Sequence, residues 1–190
     1  LERLQERARA LAAEHAVVPP TRPGRTRVLA HLAHNAAFIA DAVQLLAEDV
    51  RSKRPLEPAG EWLLDNHHLV EGEIQALQRD LPPRFYRELP HLVDADGNAA
   101  PRVYAAALML LAHTDSRIDR QNLTAFLIAY QTVTPLTLGE LWAWPSALRM
   151  ALVENLRRVA GGLVVSRNAR QEADAVIDAA ERSGPAPAVQ

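Results

Sequence analysis

Apolar residues recur along this chain at spacings of three and four almost without interruption, the period of helices that each bury one face. Leu4, Ala8, Leu11 and Ala12 predict a first helix that stops before Pro19-Pro20. Beyond a loop from Pro19 to Gly24, Leu29, Leu32, Ala36, Ile39, Val43, Leu46 and Val50 keep the same spacing through several turns. That seam suits antiparallel packing against a second long helix. The second helix opens near Pro58, a residue fitted to the first helical turn, and carries Leu63, His67, Val70, Ile74, Leu77 and Leu81. The spacing points His67 into the seam.

Pro82-Pro83 ends that helix, and Arg84 to Pro90 reads as a polar-aromatic loop leading to Asp94-Ala95-Asp96-Gly97-Asn98, a turn composition. Three shorter helices follow, Pro101 to His113, Asp119 to Gln131 and Leu138 to Trp142, the last opened by Thr137 and Glu140 in the spacing of a capping box. Pro145 starts another, through Arg158 or beyond, which Gly161-Gly162 weakens or breaks. Ala173, Val176, Ile177 and Ala180 define a final amphipathic helix.

No run of alternating β-branched residues competes with this pattern. The expected fold is all-α, a multi-helix bundle with two long antiparallel helices followed by several shorter ones. Residues 1–182 are read as a single helical accessory domain, with 1–57 supplying N-terminal helices, 58–182 the main part, and 183–190 a flexible linker or tail. Leucine at position 1, already inside a helical pattern, and the exit Ser183-Gly184-Pro185-Ala186-Pro187 suggest a module of a larger protein.

Composition narrows the chemistry. Hydrophobic residues make up 48% of the 190, enough for a real core. Twenty-one Lys+Arg against 23 Asp+Glu give a net charge of −2, so no global basic field is available for a nucleic-acid backbone. Cysteine is absent, which removes disulfides, thiolate metal sites and a cysteine nucleophile. The longest nearly apolar run, Tyr104 to Ala112, falls far short of the roughly 20 residues that cross a bilayer, and the charged start Leu1-Glu2-Arg3 is no signal peptide.

Candidate motifs are few. Asp94-x-Asp96 reads as a plain turn. A calcium loop needs glycine sixth and glutamate twelfth, whereas Gly97 sits fourth and Ala105 twelfth, and the metal-nucleotide motif of glycosyltransferases needs a preceding strand. Asp65, His67, His68 and Glu71 form the densest ligand-capable cluster, resembling half of a carboxylate-bridged dimetal site. The other half is missing, because Glu88-x-x-His91 is interrupted by Pro90, so a core role for His67 with His68 on a flank is preferred.

Trp62, Trp142, Trp144, Tyr86, Tyr104 and Tyr130 supply flat faces on which sugar rings can stack, though most are expected in the core. Tyr86 is set apart by its loop neighbours Arg84, Arg87 and Glu88, exposed donors and acceptors suited to a ligand or a partner domain. His113-Thr114-Asp115 and Ser116-x-x-Asp119 read as helix-junction caps before they read as proton-transfer pairs. Glu154 to Arg158 reads as a solvated charged face, with docking of another domain as the alternative. No P-loop, nucleophile elbow or zinc-protease helix is present.

Four stretches carry a resemblance: Glu61-Trp62-Leu63-Leu64-Asp65-Asn66; Asp80 to Pro90; Pro101-Arg102-Val103-Tyr104 with Ala112-His113-Thr114-Asp115; and Ala129 to Arg158. The last is the most specific, reading Tyr130-Gln131-Thr132-Val133-Thr134-Pro135-Leu136-Thr137-Leu138-Gly139-Glu140-Leu141-Trp142, then Leu148-Arg149 and Glu154-Asn155-Leu156-Arg157-Arg158. Together, over residues 20 to 160, they resemble the N-terminal region of cyclic β-1,2-glucan synthases.

The resemblance implies a large parent at the cytoplasmic face of the bacterial inner membrane that polymerises glucose from UDP-glucose, with a divalent metal, into a β-1,2-linked chain and cyclises it. A membrane glycosyltransferase segment and a C-terminal phosphorylase-like segment would follow this one. The family's Gln-x-x-Arg-Trp motif and strand-end aspartates do not occur here, so no catalytic residue carries over and no cofactor is expected for this chain. The positions that match the family's motifs are Glu61, Trp62, Asp65, Asn66, Arg84, Tyr86, Arg87, His113, Asp115, Gln131, Glu140, Trp142, Arg149 and Asn155. The expectation is a non-catalytic helical domain whose partners are other domains of the same polypeptide, with a β-1,2-glucan chain as the alternative ligand.

Overall fold

The computed structural model describes residues 1–15, 27–80, 83–93 and 99–183, with backbone only for 27, 83, 84 and 183. Among these residues the chain is predominantly helical, with seven helices and one very small sheet. The helices are α1 (Glu2–Glu14), α2 (Arg27–Arg51), α3 (Pro58–Asp80), α4 (Pro83–Glu88), α5 (Arg102–His113), α6 (Arg120–Gln131) and α7 (Leu138–Ser183). The sheet is an antiparallel pair, β1 (His91–Val93) and β2 (Ala99–Pro101), in register His91 with Pro101, Leu92 with Ala100 and Val93 with Ala99. The expected loop Pro19 to Gly24, Leu81, Pro82, the turn Asp94 to Asn98 and the tail after Ser183 lie outside the described residues.

Local chemistry sets several boundaries. Asp119 caps α6, its carboxylate accepting from the Asn122 backbone N–H at 2.7 Å, which is worth about 1 kcal/mol. α7 opens with a complete capping box: the Glu140 N–H donates to Thr137 Oγ1 at 3.2 Å, and the Thr137 N–H donates back to Glu140 Oε2 at 2.8 Å.

α7 corrects the expectation of three separate segments, for it runs 46 residues through Pro145 and Gly161-Gly162. A mid-helix proline typically costs about 3 kcal/mol and each glycine about 1. Packing on three neighbours offsets this. Ala143, Trp144, Ala147, Leu148 and Ala151 are buried, and Gly161 faces the Phe38 ring of α2, which a β-carbon at this position would touch. α7 packs against α2, α3 and α5, and α1 packs on α6. At the centre, Phe126 stacks between Tyr130 and Trp144, each centroid 6.2 Å away.

Four further expectations are corrected. The segment 83–88 is helix rather than loop, and Tyr86 within it is fully buried. β1 and β2 pair where no strand was expected. Near the end of α2 the inward position belongs to Asp49, and Val50 is exposed, because two arginines wait for the carboxylate. Glu154 to Arg157 are half-buried and packed, and only Arg158 faces solvent as expected. Glu154 accepts from Asn35 at 2.6 Å, Asn155 donates to Ser116 at 2.7 Å, and the Arg157 guanidinium lies 4.8 Å from the Phe38 ring centroid.

Candidate functional site

The densest polar chemistry in the interior gathers at the start of α7. Arg102, first residue of α5, reaches Glu140 with two parallel hydrogen bonds, Nε to Oε1 at 2.8 Å and Nη2 to Oε2 at 2.6 Å. Its Nη2 also donates to the Pro135 carbonyl at 3.0 Å. Glu140 Oε2 further accepts from the Thr137 hydroxyl at 3.0 Å as well as its N–H. Both side chains are buried. Burial opposes the charge on Arg102, but the bonds to and charge of Glu140 more than offset it and hold the guanidinium above its usual pKa.

The knot continues outward. The Tyr130 hydroxyl, whose ring lies beside the Arg102 guanidinium, pairs with His15 Nδ1 2.7 Å away at the end of α1, donating to it in the neutral tautomer that leaves Nδ1 bare. Burial pushes Tyr130 up to about 12, and burial together with Arg102 lowers His15. Every Glu140 oxygen already accepts a donor, so this carboxylate cannot serve as a general base without unmaking the helix cap it completes. The knot ties the ends of four helices together.

The exposed chemistry lies elsewhere, along one side of α3 and α7. Two grooves share it. One, about 290 Å³, lies between Trp62, Leu69 and Val70 of α3 and Leu152, Val153 and Leu156 of α7. The other, about 500 Å³, is lined by Phe85 of α4, Asp80 of α3, and Leu138, Trp142 and Ser146 of α7. Arg149 lines the first groove and lies 3.7 Å from Glu73 and 4.0 Å from Asp80, a residue of the second. Trp62 is 54% and Trp142 75% exposed, which is unusual for indoles in a folded domain.

Of the residues singled out in the sequence, this face therefore brings together Trp62, Trp142 and Arg149. Asp65 is exposed on α3 beside a third, more polar depression with Lys53, Arg54 and Glu61. Tyr86 is the chief correction: rather than offering an exposed donor, it lies wholly inside, its hydroxyl without a well-formed hydrogen bond and facing Ser146. Arg87 and Glu88 are exposed on α4, and the Arg84 side chain lies outside the described residues.

His113, Asp115 and Gln131 lie at the ends of α5 and α6 and form no common site. His113 takes a hydrogen bond from Arg7 at 3.2 Å, and Asp115 sits in a left-handed turn with φ 48°. His67 leaves the seam it was expected to fill: it is 45% exposed and turns to Glu71 one helical turn on, at 3.7 Å. An ionisable ring with a carboxylate on its own helix has no reason to desolvate. Among the described residues no three histidine, aspartate or glutamate side chains converge as a metal would require.

Arg102 and Phe85 escaped the sequence reading as members of a cluster. The signal for Arg102 was present, a lone arginine at the head of the apolar run Val103 to Leu111, but its partner lies 38 residues away.

Fold and face together define an all-α domain with a sealed polar knot and one exposed apolar side. No family model matches the chain. It is similar to the cyclic beta-(1,2)-glucan synthase NdvB of Rhizobium meliloti (strain 1021), 48% identical over 144 residues, or 76% of this chain. The chain spans 5% of the length of that relative, and the match falls in its N-terminal region. The resemblance read from the motifs is thus shown: the chain is homologous to a segment of a glucan synthase. No helix among the described residues is long and apolar enough to cross a membrane.

Proposed function

We propose that this chain is a non-catalytic helical domain of a cyclic β-1,2-glucan synthase, supporting or positioning the UDP-glucose-dependent glucosyltransferase and cyclisation modules by packing against them. The groove between Trp62 and Leu156 carries this reading. Its wall is almost entirely carbon, and it lies beside exposed Leu69 and Leu152. Contiguous apolar surface of this kind marks an interface, because burying it returns roughly 25 cal/mol per Å². The homologous segment in the relative is a small fraction of a far longer polypeptide, so a partner surface on the same chain is at hand.

In this reading the domain contributes no group to UDP-glucose or a metal, and the membrane segment of the parent holds it at the cytoplasmic face. The test is to place Trp62→Glu with Leu69→Glu in the full-length synthase and measure cyclic glucan. Both positions are exposed, so the domain should fold while output falls sharply. Undiminished output would remove the supporting role.

A second reading, glucan binding, loses the loop site it rested on, since Tyr86 is buried.

A further inference from the structure

We propose that the groove between α3 and α7 seats one amphipathic helix from elsewhere in the same polypeptide, apolar along one stripe and flanked by lysine or arginine. The inference rests on reading the chain as a docking domain of a glucan synthase. It deepens that reading by fixing the secondary structure and the charge of what docks.

Shape sets the secondary structure. The α3 wall runs from Trp62 through Leu69 to Glu73, roughly 16 Å or three turns at about 1.5 Å per residue. The facing wall is Leu152 and Leu156 of α7, and exposed Val159 prolongs it by a turn. A trough between two neighbouring helices is where a third helix lays its ridge of side chains, anchored by large apolar residues at spacings of three and four. An extended strand finds no purchase here, because helical N–H and C=O groups are already paired within α3 and α7.

Charge sets the sign of the partner. The floor is almost entirely carbon, and the charges stand on its banks. Glu73 and Asp80, both exposed, share the single guanidinium of Arg149 at 3.7 and 4.0 Å. Asp65, one helical turn from both Trp62 and Leu69, is exposed and makes no ion pair among the described residues. Three carboxylates against one guanidinium leave these banks negative.

That sign chooses among occupants. A second copy docked here about a two-fold axis sets Asp65 and Glu73 against their own counterparts. The anionic surface of a bilayer is repelled for the same reason. A helix with basic flanks is attracted, and the charged banks fix its register.

Size places the helix on the same chain. Three turns of helix bury well short of the roughly 1,600 Å² typical of a stable interface between separate proteins. A tether removes that requirement by raising the effective concentration of the partner. The homologous segment is 5% of the relative's length, so ample polypeptide is at hand to supply the helix.

The experiment is photo-crosslinking of the full-length synthase in its own membrane, with benzoylphenylalanine in place of Leu69 or of Leu152, both exposed. Mass spectrometry should find both positions joined to one segment of the same polypeptide, with apolar residues at spacings of three and four and Lys or Arg beside them. That segment, made as a peptide, should bind the purified native chain. Its Kd should rise about tenfold on Asp65→Lys with Glu73→Lys. It should rise by a similar factor between 0.1 and 1 M NaCl, where the screening length falls from about 10 to about 3 Å. Unchanged melting of the doubly substituted chain assigns the loss to docking rather than to unfolding.

A cross-link between differently tagged copies, to lipid, or to a segment without basic residues overturns the proposal. So do the absence of any cross-link, a peptide that fails to bind at millimolar concentration, and binding that the charge reversal does not move. If one of these holds while Trp62→Glu with Leu69→Glu still lowers glucan output, the domain docks and only the occupant is wrong. If output is untouched as well, both readings fall.

Discussion

Glu140 near the start of α7 and Asp49 opposite its later turns are both buried carboxylates held by arginine, yet they sit in different surroundings. Glu140 receives both bonds from one guanidinium that is itself buried, and a helix cap closes the remaining lone pairs. Asp49 divides its oxygens between Arg54 at 2.8 Å, 46% exposed, and Arg167 at 2.7 Å, 11% exposed, with Glu48 near the same Arg167 at 3.9 Å. The first is sealed and the second lies at the rim. A sealed pair is expensive to break, because the survivor is left charged without water, whereas at a rim water can take the missing partner's place.

The largest expected effect is therefore Glu140→Ala, which strands the Arg102 guanidinium and removes the α7 cap. We expect a loss of about 3–5 kcal/mol in denaturant unfolding. A loss below that of Asp49→Ala would break the comparison. Asp49→Ala should cost about 1–2 kcal/mol, since half-exposed Arg54 rehydrates and Arg167 keeps Glu48 within 3.9 Å.

Salt sharpens the contrast. In 1 M NaCl the screening length falls to about 3 Å, so the cost of Asp49→Ala should shrink while that of Glu140→Ala stays. Equal shrinkage would place both pairs at the rim.

The smallest effect is pH-dependent. In the fold, His15 is held below its usual value of 6.5 by burial and by Arg102, while Glu14 pulls the other way. The fold thus favours the neutral ring, which accepts from Tyr130. Below pH 6.5 the unfolded chain takes up a proton that the folded chain resists. Stability from this contact is present at neutral pH and is lost as pH falls from 6.5 toward the folded value. Melting curves between pH 7.5 and about 5 should show this slope, and His15→Gln should flatten it.

Much of this fold was legible because its signals are local. The Pro58 start, the Asp119 cap and the Thr137-Glu140 box are each decided within one helical turn, and the structure holds all three. What escaped was decided at a distance. Pro145 and the two glycines should interrupt a lone helix, but packing on α2, α3 and α5 keeps α7 continuous. Asp49 displaces Val50 from the interior because Arg167 stands 118 residues away. Tyr86 looked exposed among charged neighbours, yet a short helix turns it inward while Arg87 and Glu88 face out. The grooves were half legible: Trp62, Trp142 and Arg149 were marked in the sequence, but their sharing one face depends on α3 and α7 lying side by side.

α7 also has a mechanical meaning. At 46 residues it is a rod roughly 70 Å long, at about 1.5 Å per residue, and Glu172 to Arg182 are exposed along its last turns. Force applied to those exposed turns passes along one hydrogen-bonded column to the Glu140 end. Such a column yields first where a rung is missing, and Pro145, which cannot bond the Leu141 carbonyl, removes one beside Trp142. The compliant point of the lever and the open groove are therefore the same place.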